Sequence, residues 1–301
     1  MSVPLAYFGV LLIWSTTPLT VKWSAEGAGP LFSVLIRAAI ACALCVVWLA
    51  AMRQRLPMHR AALRTYAFGG SSGFLAMVCV YWGSRFIPSG LTSMLYGLSP
   101  LFTGVFAALW LRERELTPLK TLGIVFALCG LWMIFGVSNL TSLAVLGSVM
   151  VLVSVLIHSL NGVVLKHLTR DIPAIATTTG TLLVALPLYA ISWWLVDGQV
   201  PQNVPARAWW AILYLGVIGS VVAFVLYFYA LKRVTATRMS LVTLITPVVA
   251  LLLGHSFNGE RLETLVWIGM ALIMGGLLMF EYGPVVRHRA SMLWTTRKMG
   301  E

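Results

Sequence analysis

The sequence predicts an all-α integral membrane protein, with ten transmembrane helices arranged as two inverted five-helix repeats. Three observations carry this. Of 301 residues, 59% are hydrophobic and only 10% charged, whereas soluble globular proteins run near half apolar and about a quarter charged. The charges that remain punctuate apolar runs close to the roughly 20 residues a helix needs to cross the hydrocarbon core. The punctuation also recurs, residue type on residue type, at an offset of 147. Ten spans of that length take about 200 positions, which leaves no room for a separate soluble domain.

Read in order, the spans cover 3–21, 31–51, 66–84, 89–111, 119–136, 143–165, 174–196, 209–231, 235–257 and 262–282. The first has no Lys or Arg before Lys22 and no A-x-A-like cleavage site, so it reads as a retained helix rather than a signal peptide. Cys42, Cys45, Cys79 and Cys129 all lie inside apolar runs, which argues against a disulfide framework. Cys42 and Cys45 spell C-x-x-C without a second pair or a nearby His, so no metal site is expected. Lys and Arg number 21 against 9 Asp and Glu, for a formal charge of +12. Sixteen of the 21 fall in the even-numbered connections and the tail, four fall on the opposite side, and Arg37 alone lies inside a span. By the positive-inside rule both termini are cytoplasmic, in a multi-pass protein of the inner membrane.

The duplication sets the domain organisation. Pro100 precedes Glu113 by 13 residues, and Pro247 precedes Glu260 by the same 13. Tyr81-Trp82-Gly83 falls on Phe228-Tyr229-Ala230 and Ser93 on Ser240, while a slip of one residue brings Gly123 to Gly269 and Gly130 to Gly276. At an offset of 144, Ile13-Trp14-Ser15 and Lys22 match Ile157-His158-Ser159 and Lys166. Five spans per copy is odd, so the second copy is upside down in the bilayer. The expected units are residues 1–137, residues 143–283 and a basic cytoplasmic tail at 284–301. Inverted repeats are a hallmark of secondary transporters, whose sites lie near the midplane between the copies.

On these residues the chain resembles the drug/metabolite transporter superfamily, and within it the EamA-type ten-helix members. The resemblance rests on Trp14-Ser15 with Pro18, on Arg37, on Ser99-Pro100 and Thr246-Pro247, on Glu113 and Glu260, and on the glycines at 123, 130, 269 and 276. It implies a carrier of small metabolites such as amino acids or related amphipathic compounds. The outward direction of transport comes from this resemblance alone. The sixth span carries His158 where such proteins often have a Trp matching Trp14.

Arg37 is the candidate anchor. It lies seven residues into its span, about 10 Å deep at 1.5 Å per residue. A charge at that depth costs about 2.5 to 3.5 kcal/mol on insertion scales, so it faces a cavity or a partner. Its planar fork suits a carboxylate, although holding helices together through backbone carbonyls explains it as well. No Asp or Glu occupies a span interior, which leaves His158 as the titratable group at depth; a helix-packing hydrogen bond is its blander role. Other candidate substrate contacts are Trp14, Ser15, Trp82, Tyr96, Asn161 and Tyr227. Pro100 and Pro247, which free backbone carbonyls in related spans, are candidate hinges.

Two other readings remain. Gly69-Gly70-Ser71-Ser72-Gly73 contains G-x-S-x-G, the string of a serine nucleophile, but a nucleophile elbow needs a strand-to-helix turn. An intramembrane hydrolase using Ser71 is thus the lesser alternative, beside a non-transporting scaffold or sensor. The basic residues are scattered through short loops, so no nucleic-acid partner is expected. Partners are the lipid bilayer and a small-molecule substrate, with a homodimer left open. No cofactor, metal or catalytic residue is expected.

Overall fold

A computed structural model describes residues 2–111, 118–136, 141–168, 172–231, 236–260 and 264–280. Among them the regular structure is helical throughout. Glu113 and the basic tail lie outside the described residues, as do the side chains of Lys166, Tyr229 and Thr243.

Among the described residues, each predicted span is occupied mainly by helix. The elements are α1 (Val3–Ala28), α2 (Pro30–Ala51), α3 (Arg60–Gly83), α4 (Ser89–Gly97), α5 (Ser99–Leu111), α6 (Pro118–Gly136), α7 (Ser142–Leu168) and α8 (Ala174–Val196). They continue with α9 (Ala206–Tyr214), a π-helical segment (Leu215–Val222), α10 (Ala223–Leu231), α11 (Ala236–Asn258) and α12 (Thr264–Phe280). Six helical stretches are long and apolar enough to cross a membrane, and the apolar parts of α6, α11 and α12 are shorter. The end of the bundle that holds the N-terminus is called the near end here, and the end where α1 finishes the far end.

Two predicted spans depart from a single α-helix. The fourth is broken at Leu98 into α4 and α5. Pro100 has no N–H for the carbonyl of Tyr96, four residues before it, and Ser99 Oγ donates to that carbonyl at 2.6 Å. The serine thus caps the group that the proline leaves open. In the related place on α11, Thr246 Oγ1 donates to Val242 O at 2.6 Å, and the helix runs through Pro247 unbroken. The eighth span widens into π geometry over Leu215–Val222.

Helices meet as exchange of the two copies requires. The third span packs on the sixth (α3 on α7), the first packs on the eighth (α1 on α9 and α10), and the second packs on the seventh (α2 on α8). On α6, a Cβ at Gly123 would stand 2.5 Å from Gly276 O, and one at Gly130 would stand 2.5 Å from Gly269 O. As one number rises by seven the other falls by seven, so α6 and α12 run antiparallel with bare backbone between them. These are the glycines that the repeat pairs as 123 with 269 and 130 with 276. Each therefore touches the counterpart of the other, as an isologous contact demands.

The largest core cluster joins α2, α3, α4, α7 and α8 through Val34, Ala38, Tyr81, Leu91, Met94, Leu95, Val151, Val155 and Tyr189. All of α4 except Tyr96 is buried, so this nine-residue helix plugs the far half of the bundle. Along one stripe of α7, Ala144, Ser148, Val151 and Val155 are buried, whereas the next two members, His158 and Gly162, are exposed. The lipid-facing Leu146, Val149 and Val153 lie on the opposite side. The interior is packed toward the far end and opens toward the near end.

Candidate functional site: a lone guanidinium among hydroxyls

Arg37 sits half-buried on the inward face of α2. Its Nε donates to Ser220 Oγ at 3.3 Å and its Nη1 donates to Tyr81 Oη at 3.3 Å. It is also close enough to Tyr96 and Tyr189 to act on both electrostatically. Every partner is a neutral hydroxyl. Among the described residues, the ion pairs are Lys22 with Glu26 and Lys22 with Glu260, and no carboxylate faces Arg37.

The surrounding hydroxyls are themselves fixed. Ser154 Oγ donates its proton to Ala76 O at 2.6 Å, so in the 2.7 Å bond between Tyr96 Oη and Ser154 Oγ the tyrosine is the donor. Tyr189 Oη donates to Gly73 O at 3.4 Å, and its ring lies against Phe74 at 5.1 Å between centroids. Ser159 Oγ donates to Ser99 O at 3.3 Å, tying α7 to the break beside Tyr96. Such satisfied networks rigidify an interior. The result is an aromatic, hydroxylated chamber with a positive charge on one wall.

His158 continues that wall, with its ring edge-on to Tyr96 at 6.3 Å. It is exposed and makes no hydrogen bond with any described residue, so the packing hydrogen bond that the sequence favours for it is absent. The stripe argument explains why: His158 falls where the face of α7 leaves the core and enters the opening. Asn161, less than one turn further on, has a buried Oδ1 with no partner.

The other candidates separate from Arg37. Trp14 and Tyr227 stack with centroids 5.2 Å apart in a second cluster of α1, α10 and α11. Ser15 is buried and turned back onto Leu11 O at 2.7 Å. Trp82 is a neighbour of Tyr81 in sequence but points away, toward the guanidinium of Arg85 at 5.8 Å. The tyrosine and not the tryptophan reaches Arg37. Ser220 and Tyr189 escaped the sequence reading, although Ser220 stands at the repeat position of Gly73, where a new hydroxyl was a visible signal. Ser71 lies exposed within the unbroken helix α3, not at a strand-to-helix turn.

The far end is closed above this chamber by a carboxylate clasp. Gly259, at φ +62°, turns the chain after α11 so that Glu260 folds back onto α4. Its carboxylate accepts from the Ser89 amide at 2.9 and 3.0 Å, from Ser89 Oγ at 3.0 Å and from Asn258 Nδ2 at 3.0 Å. A carboxylate at the first turn satisfies free amides and meets the positive end of the helix dipole. Lys22 Nζ stands 3.8 Å from Glu260 and donates to Ile87 O at 2.8 Å. Trp23 Nε1 donates to Asn258 Oδ1 at 2.9 Å. Together these groups tie the ends of α1, α4 and α11.

Comparison with known proteins agrees with this architecture. The EamA-like transporter family matches residues 1–136 and again residues 145–282. The uncharacterized transporter YoaV of Bacillus subtilis is 27% identical over 287 residues, covering 93% of this chain and 96% of its own. The uncharacterized inner membrane transporter YedA of Escherichia coli K12 is 24% identical, covering 92% and 90%. A solved crystal structure with TM-score 0.63 and 21% identity covers 92% of this chain and 96% of its own, a likeness of fold. The chain is thus a multi-pass membrane protein and belongs to the EamA-like transporter family.

Proposed function

We propose that the protein is a secondary carrier which moves small carboxylate-bearing metabolites, amino acids or related amphipathic compounds, across the inner membrane by alternating access. Export is the direction that the family resemblance favours, and both termini lie in the cytoplasm. The observation that carries the substrate class is Arg37: among the described residues, a guanidinium held only by hydroxyls, with N–H donors to spare and no carboxylate opposite. A charge held inside an apolar span without a counter-charge is costly. A substrate anion would supply what the wall lacks. Alternating access is supported by the contrast between the two ends, one clasped by Glu260 and the other open along α7. On this reading the near end is cytoplasmic and the site is presented inward. The inner-membrane assignment has the support of a relative described as an inner membrane transporter.

The test is uptake of radiolabelled solutes into proteoliposomes, with and without a pH gradient, for the wild type and Arg37→Ala. Charge-assisted hydrogen bonds contribute about 1.5 to 3 kcal/mol, so KM for carboxylate-bearing solutes should rise at least tenfold in the variant. Equal transport of such solutes by both proteins would overturn the reading. The same assay addresses the hinges. Pro100→Ala restores an amide to the Tyr96 carbonyl and straightens the break at Leu98, so it is expected to slow turnover more than Pro247→Ala, whose helix is already continuous. Unchanged rates in both variants would remove the hinge role.

A further inference from the structure

We propose that Ser220 is a positioning residue that decides which edge of Arg37 is offered to a substrate anion. The inference rests on the carboxylate reading of Arg37 and adds to it a geometry and a second residue.

In an α-helix a serine hydroxyl bonds back to the carbonyl three or four residues earlier. Within Leu215–Val222 the turn is wider, and Ser220 Oγ donates to Leu215 O, five residues back, at 2.8 Å. That bond fixes the hydroxyl proton on the helix's own backbone. The lone pairs of Oγ are left facing α2, where Arg37 Nε donates to them at 3.3 Å. Isolated π turns occur frequently at functional positions, and here the distortion has a visible product: an acceptor held against the side edge of the guanidinium.

A guanidinium carries five N–H donors. Ser220 takes the one on Nε and Tyr81 Oη takes one on Nη1. A carboxylate can grip Arg either along the edge that includes Nε or at the end formed by the two Nη atoms, and the first approach is closed by Ser220. Tyr81 uses one of the four Nη donors and leaves three, so the anion docks at the Nη end, and Ser220 and Tyr81 hold the fork so that this end faces the chamber.

The repeat supplies an internal comparison. Ser220 corresponds to Gly73 at the offset of 147. There α3 is a regular helix, no hydroxyl is available, and the Gly73 carbonyl accepts from Tyr189. The counterpart of Arg37, near Gly180, is filled by the ring of Tyr66. Arginine and serine thus come from different copies and meet where α2 packs on the π segment, and both are replaced by glycine at the repeat-related contact of α8 with α3, so the described residues hold a single anion fork.

Phenylglyoxal, a small reagent for guanidinium groups, tests this on the full chain in detergent, with adduct at Arg37 read by peptide mass spectrometry. Sodium benzoate should protect Arg37 and neutral benzamide should not. In Ser220→Ala the benzoate concentration giving half protection should rise roughly tenfold, as loss of one hydrogen bond to a charged group allows, and Ser220→Thr should restore it. Ser148→Ala, which removes a fully buried hydroxyl from α7, should leave it unchanged. Equal protection of Ser220→Ala and wild type overturns the positioning role and leaves the carboxylate reading standing. A tenfold shift in Ser148→Ala also overturns the positioning role, because any loosening of the bundle then suffices. Failure of benzoate to protect the wild type overturns both.

Discussion

Replacing Glu260 with Ala is expected to lower the stability of the protein by about 3 to 5 kcal/mol, the range for removing one partner of a buried ion pair. The Glu260 side chain is 8% exposed and that of Lys22 12%. Truncation would leave Lys22 without its buried counter-charge and the amides at the start of α4 without an acceptor. A surface ion pair would be worth far less, and the same lysine provides the control. Its partner one turn away, Glu26, is 39% exposed at 3.7 Å, so Glu26→Ala should cost about 0.5 kcal/mol or less. Glu260→Gln should fall between them, since an amide oxygen can still accept from the Ser89 amide without carrying charge. Thermal unfolding in detergent measures all three. Equal shifts for Glu26→Ala and Glu260→Ala would mean that the clasp is an exposed contact and not a closure.

The second large effect belongs to the crossing of α6 and α12. A methyl group at Gly123 would stand 2.5 Å from Gly276 O and 3.0 Å from the Phe280 amide, both backbone atoms that cannot rotate away. Overpacking of this kind typically costs 1 to 3 kcal/mol, roughly, and Gly123→Ala is expected at the upper end. Gly276→Ala meets Gly123 O in turn, so the double variant should cost less than the two single values together, because the first methyl has already parted the helices. Gly162→Ala is the contrast. Nothing lies within 4 Å of the added carbon, and alanine gains up to about 1 kcal/mol over glycine inside a helix. A glycine-to-alanine series with no difference between 123 and 162 would contradict the packing described.

Much of this fold is legible in the sequence because the membrane imposes a coarse rule. Apolar runs between charges located the helices of the described residues, and the matched glycines at 123, 130, 269 and 276 mark where α6 and α12 touch. What stayed hidden depends on which way a side chain turns. Tyr81 and Trp82 are adjacent and both aromatic, yet consecutive helical residues point about 100° apart, and only one of them meets Arg37. Pro100 and Pro247 carry the same signal, but one helix breaks and the other does not: Ser99 caps the carbonyl that Pro100 frees, whereas Thr246 bonds the carbonyl of Val242. The π turn has no composition of its own. Arg37 stood out because a charge in an apolar run is rare, whereas Ser220 and Tyr189 are ordinary residues whose importance comes from what lies opposite. Glu260 looked like the end of a span. Its role depends on Ser89, 171 residues away, and distance in sequence conceals such pairings.

The bare crossing of Gly123 with Gly276 and Gly130 with Gly269 has a mechanical consequence. Most helix contacts can adjust by changing rotamers, but two backbones in direct contact have none to change. A slide along either helix would bring the next side chains on the same faces, Ala127 on α6 and Ile273 on α12, against the opposing carbonyls. The pair can therefore turn about the line of contact but cannot translate along it, and that is the behaviour of an axle. If the two copies rock against each other, that motion pivots on four residues with no side chains, on two helices that carry none of the clasp residues.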